Sequence, residues 1–162
     1  MPKHLRLVLI SLGLITLQTT IVSFMSVLNI IPDLMLIWIV YIAITQGQIP
    51  ATAYGFGIGL VMDLLSGQFL GLSALSKTIA GFLAGYFYHE NKIDITLSNY
   101  RFLVIVAVIS LVHNIVYFVL FTQGSDVGLL TAIIRFGMFS MLYTTTLSSI
   151  PMFIAMRKPQ LR

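Results

Sequence analysis

The sequence predicts an all-α fold, a polytopic transmembrane bundle of six helices with both termini on the cytoplasmic side. Three observations carry that expectation. Only 9% of the residues are charged while 58% are hydrophobic, where a soluble domain keeps about 25% charge to face water. Apolar stretches long enough to cross the hydrocarbon layer recur along the chain, since a helix spans it with about 20 residues at about 1.5 Å each. The cations gather in alternate connections, as the positive-inside rule requires of a chain that crosses several times.

The first helix is read over 7–27. Met1-Pro2-Lys3-His4-Leu5-Arg6 before Leu7-Val8-Leu9-Ile10 has the order of a signal peptide, but the apolar run passes Val27 with no Ala-x-Ala-like cleavage site. An uncleaved span is therefore expected. The stretch 30–65 is divided by Thr45-Gln46-Gly47-Gln48-Ile49-Pro50, where Gly, Gln and Pro mark a tight connection. Two short helices fit there, 32–46 and 50–65. Pro32-Asp33 opens the first, because Pro is tolerated at the first helical position and an acid favours the positive helix end; Pro50 opens the second. At about 16 residues each they form two tilted short spans or a re-entrant hairpin buried among longer helices, and two spans are the expectation. Helices over 70–88, 102–121 and 128–156 complete the six, the last long enough to tilt or to bend near Pro151. The connections are too short for a soluble module, so 1–162 is read as one integral membrane domain.

Lys3 and Arg6, Lys92 and Arg101, and Arg157, Lys158 and Arg162 fall on one side of such a bundle, while the loops around Asn29, at 66–68 and at 122–127 contain no Lys or Arg. Both termini are thereby cytoplasmic. A re-entrant hairpin would leave this unchanged, because it does not alter parity. The net charge of +4 does not point to nucleic acid, since the cations sit at the ends and in one loop without interleaved aromatics. With no cysteine in the chain, disulfides and thiolate chemistry are excluded.

Polar residues inside the spans need a physical reason, because an ionised group in hydrocarbon is costly unless paired, hydrated or able to snorkel. Asp63 lies near the external end of the third helix, where the helix dipole disfavours an anion, and Lys77 and Arg135 enter the membrane from that same side. An ion pair or triad of Asp63 with Arg135, Lys77 or both is expected; the alternative for Lys77 is outward snorkelling. Ser110, His113, Asn114 and Tyr117 make a polar stripe at helical spacing. It lines a small-molecule or proton path, or is satisfied by hydrogen bonds to a neighbouring helix, with Thr131, Thr144 and Thr145 as candidates. His113 is not expected to hold a metal, because no HxxxH or HExxH spacing exists and His4 and His89 lie at other depths.

Ala51, Gly55, Gly59 and Asp63 repeat at four-residue spacing, as do Ser73, Lys77, Gly81 and Gly85. Each set makes a smooth ridge against which a helix of this chain or of a partner can pack closely. Gly55-Phe56-Gly57-Ile58-Gly59 stands in an apolar helix, where no phosphate is hosted, and neither GxSxG nor a Walker loop occurs. No cofactor and no enzymatic activity are expected.

Pro32-Asp33-Leu34-Met35-Leu36, then Gly59-Leu60-Val61-Met62-Asp63-Leu64-Leu65-Ser66-Gly67, Leu70-Gly71-Leu72-Ser73-Ala74-Leu75 and Gly81-Phe82-Leu83-Ala84-Gly85 together resemble the rod shape-determining membrane protein MreD family. The resemblance extends over the whole chain in length and helix order and is most specific between Pro32 and Gly85. It implies a multi-pass component of the bacterial inner membrane belonging to the cell-wall elongation machinery. The implied partners are the bitopic protein MreC, a second MreD copy and, through MreC, MreB, a SEDS-type glycosyltransferase and a class B penicillin-binding protein. The region around Pro32, Asp33, Ser66, Gly67 and Gly71, with the small-residue ridges, is then the expected partner interface. The six-helix family fold is also similar to the substrate-binding subunits of energy-coupling vitamin transporters, although Ser11, Gly13 and Thr16 of the first helix lack the small-residue spacing by which such subunits dock.

Overall fold

The computed structural model describes residues 3–20, 30–67, 69–124 and 128–157. The expected run of the first helix to Val27, the loop at Asn29, Gln68, the loop tip 125–127 and the terminal cations Lys158 and Arg162 lie outside the described residues. Among the described residues the chain forms α1 (Lys3–Thr20), α2 (Leu34–Gln46), α3 (Gln48–Ser66), α4 (Leu72–Ala84), α5 (Ile93–Leu97), α6 (Tyr100–Phe121) and α7 (Leu129–Met156). By length and composition, α3, α6 and α7 are able to cross a membrane. The apolar helices Leu5–Thr20 and Leu34–Gln46 are shorter.

Local chemistry sets most boundaries. Asp33 is the N-cap of α2, its Oδ1 accepting from the Leu36 N–H at 3.0 Å, so Pro32 precedes the cap and the helix starts two residues later than expected. α3 begins at Gln48 rather than Pro50; Pro50 is harmless there, because the first N–H groups of a helix have no intrahelical partner. Gly67 ends α3 at φ 65° and Gly71 opens α4 at φ 102°, left-handed conformations that glycine adopts without a Cβ clash. The expected helix 70–88 is shorter, α4 stopping at Ala84 and continuing only as the tight turn Gly85–Phe87. The expected loop 89–101 contains α5, whose Thr96 and Leu97 are buried. α6 starts at Tyr100, ahead of the expected 102, capped by the Asn99 side chain at 2.7 Å. α7 carries a π segment over Ala132–Gly137.

At 13 residues, α2 measures about 20 Å, short of a hydrocarbon layer of about 30 Å. It is nevertheless the centre of the molecule. Met35, Leu36, Ile39, Val40, Ile42 and Ala43 have no accessible surface, the signature of a helix apolar on all sides and surrounded by others. α2 packs against α1, α3, α4, α6 and α7.

The two small-residue ridges meet each other. α3 and α4 form the closest helix pair, and a Cβ on Gly59 would lie 2.6 Å from the Ser73 carbonyl oxygen, as one on Gly81 would lie 2.5 Å from that of Ala51. Gly55 likewise faces the Lys77 backbone, Gly85 faces Gln48, and Ala51 is fully buried. Both ridges are consumed inside the chain, which removes them as a surface for a partner.

Candidate functional site

The site lies at the end of the bundle where α1, α3 and α6 finish and α2, α4 and α7 begin. The N-cap of α2 forms its floor. Gln18, near the end of α1, holds that entry with both ends of its amide: Nε2 donates to the Pro32 carbonyl at 2.9 Å and Oε1 accepts from the Leu34 N–H at 3.0 Å. On the other flank the Thr144 hydroxyl of α7 accepts from the Asp33 N–H at 3.0 Å. The backbone of 32–34 is thus fastened from two helices, and the Asp33 carboxylate projects from a fixed platform.

Lys77, buried on α4, donates to Asp33 Oδ2 at 2.5 Å. A Lys side chain leans toward the N-terminus of its own helix, and for α4 that end is this one. His113 of α6 closes the cluster, with Nε2 3.9 Å from Asp33 Oδ2, 3.4 Å from Lys77 Nζ and 3.3 Å from Ser76 Oγ. Nδ1 is buried and has no hydrogen-bond partner among the described residues.

Above the cluster is a cavity of about 480 Å³, within the size range of small-molecule sites. Asp33, Lys77, His113, Asn114 and Ser73 supply its polar wall, and Tyr117, Phe118, Phe121 and Phe136 an aromatic one. A second cleft of about 350 Å³ lies between α1 and α3, lined by apolar residues and by Ser11, Ala53 and Gly57.

The ion pairing expected from the sequence is corrected. Asp63 does not meet Lys77 or Arg135. Although buried on α3, it turns to the start of α4 and accepts from the N–H groups of Gly71 (2.9 Å), Ser73 (2.8 Å) and Ala74 (3.2 Å), four orphan donors being the usual state of a helix entry. The positive end of α4 thus offsets the unfavourable position at the end of α3. Arg135 is exposed on α7, with its guanidinium 5.9 Å from the centroid of Phe136. Lys77 points inward rather than snorkelling. Two members of the polar stripe on α6 meet other partners than the threonines expected: His113 Nε2 lies against Ser76 and Lys77, and Asn114 Nδ2 donates to the Gly137 carbonyl at 2.9 Å. Thr144 turns to Asp33, Thr145 bonds within its own helix and Thr131 is exposed. Ser66 and Gly67 are exposed at the cavity end, with Ser66 on its rim.

Gln18 was not singled out in the sequence, yet it is the residue that fixes the platform. An amide among the threonines that end α1, Thr16, Thr19 and Thr20, is the available signal. Among the described residues no three His, Cys, Asp or Glu come together as a metal site.

These features define an all-helical membrane protein with a polar, internally neutralised pocket at one end. The family model described as rod shape-determining protein MreD matches residues 3–159, and the chain belongs to that family, whose role is the determination of rod shape. No curated protein and no solved structure matches it.

Proposed function

We propose that the chain is a non-catalytic scaffold of the bacterial inner membrane, crossing it six times with both termini cytoplasmic, and that its external pocket end binds MreC. Through MreC it helps position or regulate the peptidoglycan synthases of the elongation machinery. The observation that carries this reading is the pocket, a preformed cavity with a rigid polar floor. The cleft between α1 and α3 suits the membrane helix of MreC, because Gly57 has nothing within 4 Å of the place a Cβ would occupy and backbones approach closely over such positions. α2 and α4, too short to span alone, cross with the help of their neighbours' length and local thinning of the bilayer.

The test is co-purification of MreC with full-length variants that narrow each site, S140W in the pocket and G57L in the cleft. MreC recovery is expected to fall at least about tenfold in one or both, the equivalent of about 1.4 kcal/mol of binding, at unchanged membrane levels of the chain. Full recovery of MreC with both folded variants would remove the reading.

The cavity also keeps a second reading in view, that of a substrate-binding subunit of a vitamin-type transporter. A thermal-shift screen with vitamins separates the two, because a ligand that binds only the folded state raises apparent stability by mass action.

A further inference from the structure

At the pocket end one cation is left without an acid among the described residues. Of the two described carboxylates there, Asp33 is engaged by Lys77 and Asp63 by the backbone of α4. Arg135 is left over. It is exposed, and it has no acidic partner among the described residues. Its contact at 5.9 Å with the ring of its own neighbour Phe136 is too weak to replace a counter-anion in an apolar layer.

Its placement says which anion fits. Arg135 stands six residues beyond Leu129, where α7 starts, about 9 Å along the axis. From that depth an arginine stem reaches the headgroup layer. The face below it is lipid-exposed: Met138, Phe139 and Leu142, at i+3, i+4 and i+7, are 46%, 55% and 55% accessible. These are bulky side chains, whereas close helix partners are received over Gly, Ala and Ser. A flexible acyl chain conforms to such a stripe, and a second helix does not. The turn carrying Arg135 is also held in place. Gly137, the last residue of the π segment, accepts from Asn114 of α6, and π turns of this kind recur at functional positions.

We propose that Arg135, with Met138, Phe139 and Leu142 beneath it, is a phospholipid site. The guanidinium grips the lipid phosphate through charge-assisted, fork-shaped hydrogen bonds, and an acyl chain lies along the stripe. Among the described residues only a cation is supplied here, so a headgroup with net negative charge is preferred over a zwitterionic one, whose ammonium finds no free acid among them.

The experiment is native mass spectrometry of the full chain released from nanodiscs of phosphatidylglycerol and, separately, of phosphatidylcholine. Wild type is expected to retain one phosphatidylglycerol at collision energies that strip phosphatidylcholine. R135M should lower that retention about tenfold, the scale of one charged hydrogen-bonded contact, R135K should keep part of it, and R6M, at the opposite end, should keep all of it. Excess inorganic phosphate should displace little, because it lacks the acyl chain; full displacement would mean a phosphate site and not a lipid site. Equal retention in R135M and wild type would mean that the guanidinium is neutralised within the protein, with Asp126 the remaining acid of this half, and would overturn the proposal. If R135M alone were poorly folded, L142S, which leaves the charge in place, is the second variant, and unchanged retention there would remove the acyl-chain contact.

Discussion

Replacing Lys77 by Met decides which carboxylate the ammonium neutralises. In K77M the Asp33 carboxylate keeps its bond to the Leu36 N–H but loses its cation. Breaking a buried pair from one side costs about 3–5 kcal/mol, because the remaining charge is uncompensated. The Asp33 side chain is 19% accessible through the pocket, so water offsets part of this, and the expected loss is about 2–3 kcal/mol. Adding D33N removes the orphaned charge and keeps an oxygen for Leu36 N–H, so K77M/D33N should return to within about 1 kcal/mol of wild type. D63N should do the opposite. Two of the three N–H groups at the start of α4 bond Asp63 Oδ2, and an amide replaces one acceptor oxygen by a donor, adding about 1–3 kcal/mol of damage to K77M. The measurement is denaturant unfolding in micelles, followed by far-UV circular dichroism for wild type, K77M and both double variants. Rescue of K77M by D63N but not by D33N would refute the pairing.

Other outcomes follow from the same geometry. G59A should cost about 1–3 kcal/mol, since the new Cβ has to push α3 from α4, whereas G57A should be neutral or stabilise by up to about 1 kcal/mol as glycine leaves a helix interior; equal effects in the unfolding assay would contradict the close approach. Q18A should lose about 1–2 kcal/mol, because the Pro32 carbonyl and the Leu34 N–H are left with poorer partners, with faster hydrogen exchange at the start of α2 as the specific readout. Because the chain has no cysteine, single cysteines report orientation directly. A cysteine replacing Ser66 should react with an impermeant maleimide from the periplasm and one replacing Asn91 only after membranes are opened; the reverse pattern would turn the proposed orientation over.

The sequence made the long helices legible and the pairings only partly so. Length and apolarity are one-dimensional, and α6 and α7 follow from them, whereas α3, expected short, runs 19 residues and α4, expected to span, stops at 13. Depth is nearly as direct: Asp63, Lys77 and Arg135 are expected at similar depth, and Asp63 and Lys77 both stand at the pocket end of the bundle. Which residue meets which depends on rotation about each helix axis. For Lys77 that rotation is set by the glycines at positions 55, 59, 81 and 85, which lock α3 against α4 and leave the Lys77 stem to run up toward Asp33. Asp33 and Asp63 sit at the same end, so depth could not choose between them. The chemistry of helix entries could have: Asp33 caps α2 with one oxygen and has the other to spare, while Asp63 has three N–H groups to satisfy. α5 was invisible because five residues carry too little periodicity to separate from a loop. The π segment over Ala132–Gly137 has no sequence mark except the glycine at its end.

For the scaffold role proposed, the position of α2 matters more than any one contact. Its polar entry is the floor of the pocket, while its body is buried on all sides by α1, α3, α4, α6 and α7. A helix packed at interior density cannot yield to an occupant without displacing its neighbours. Fastened by Gln18 and Thr144, it presents the Asp33–Lys77 pair in one fixed place. Because that pair cancels its own charge, the pocket offers shape and aromatic surface rather than a net field.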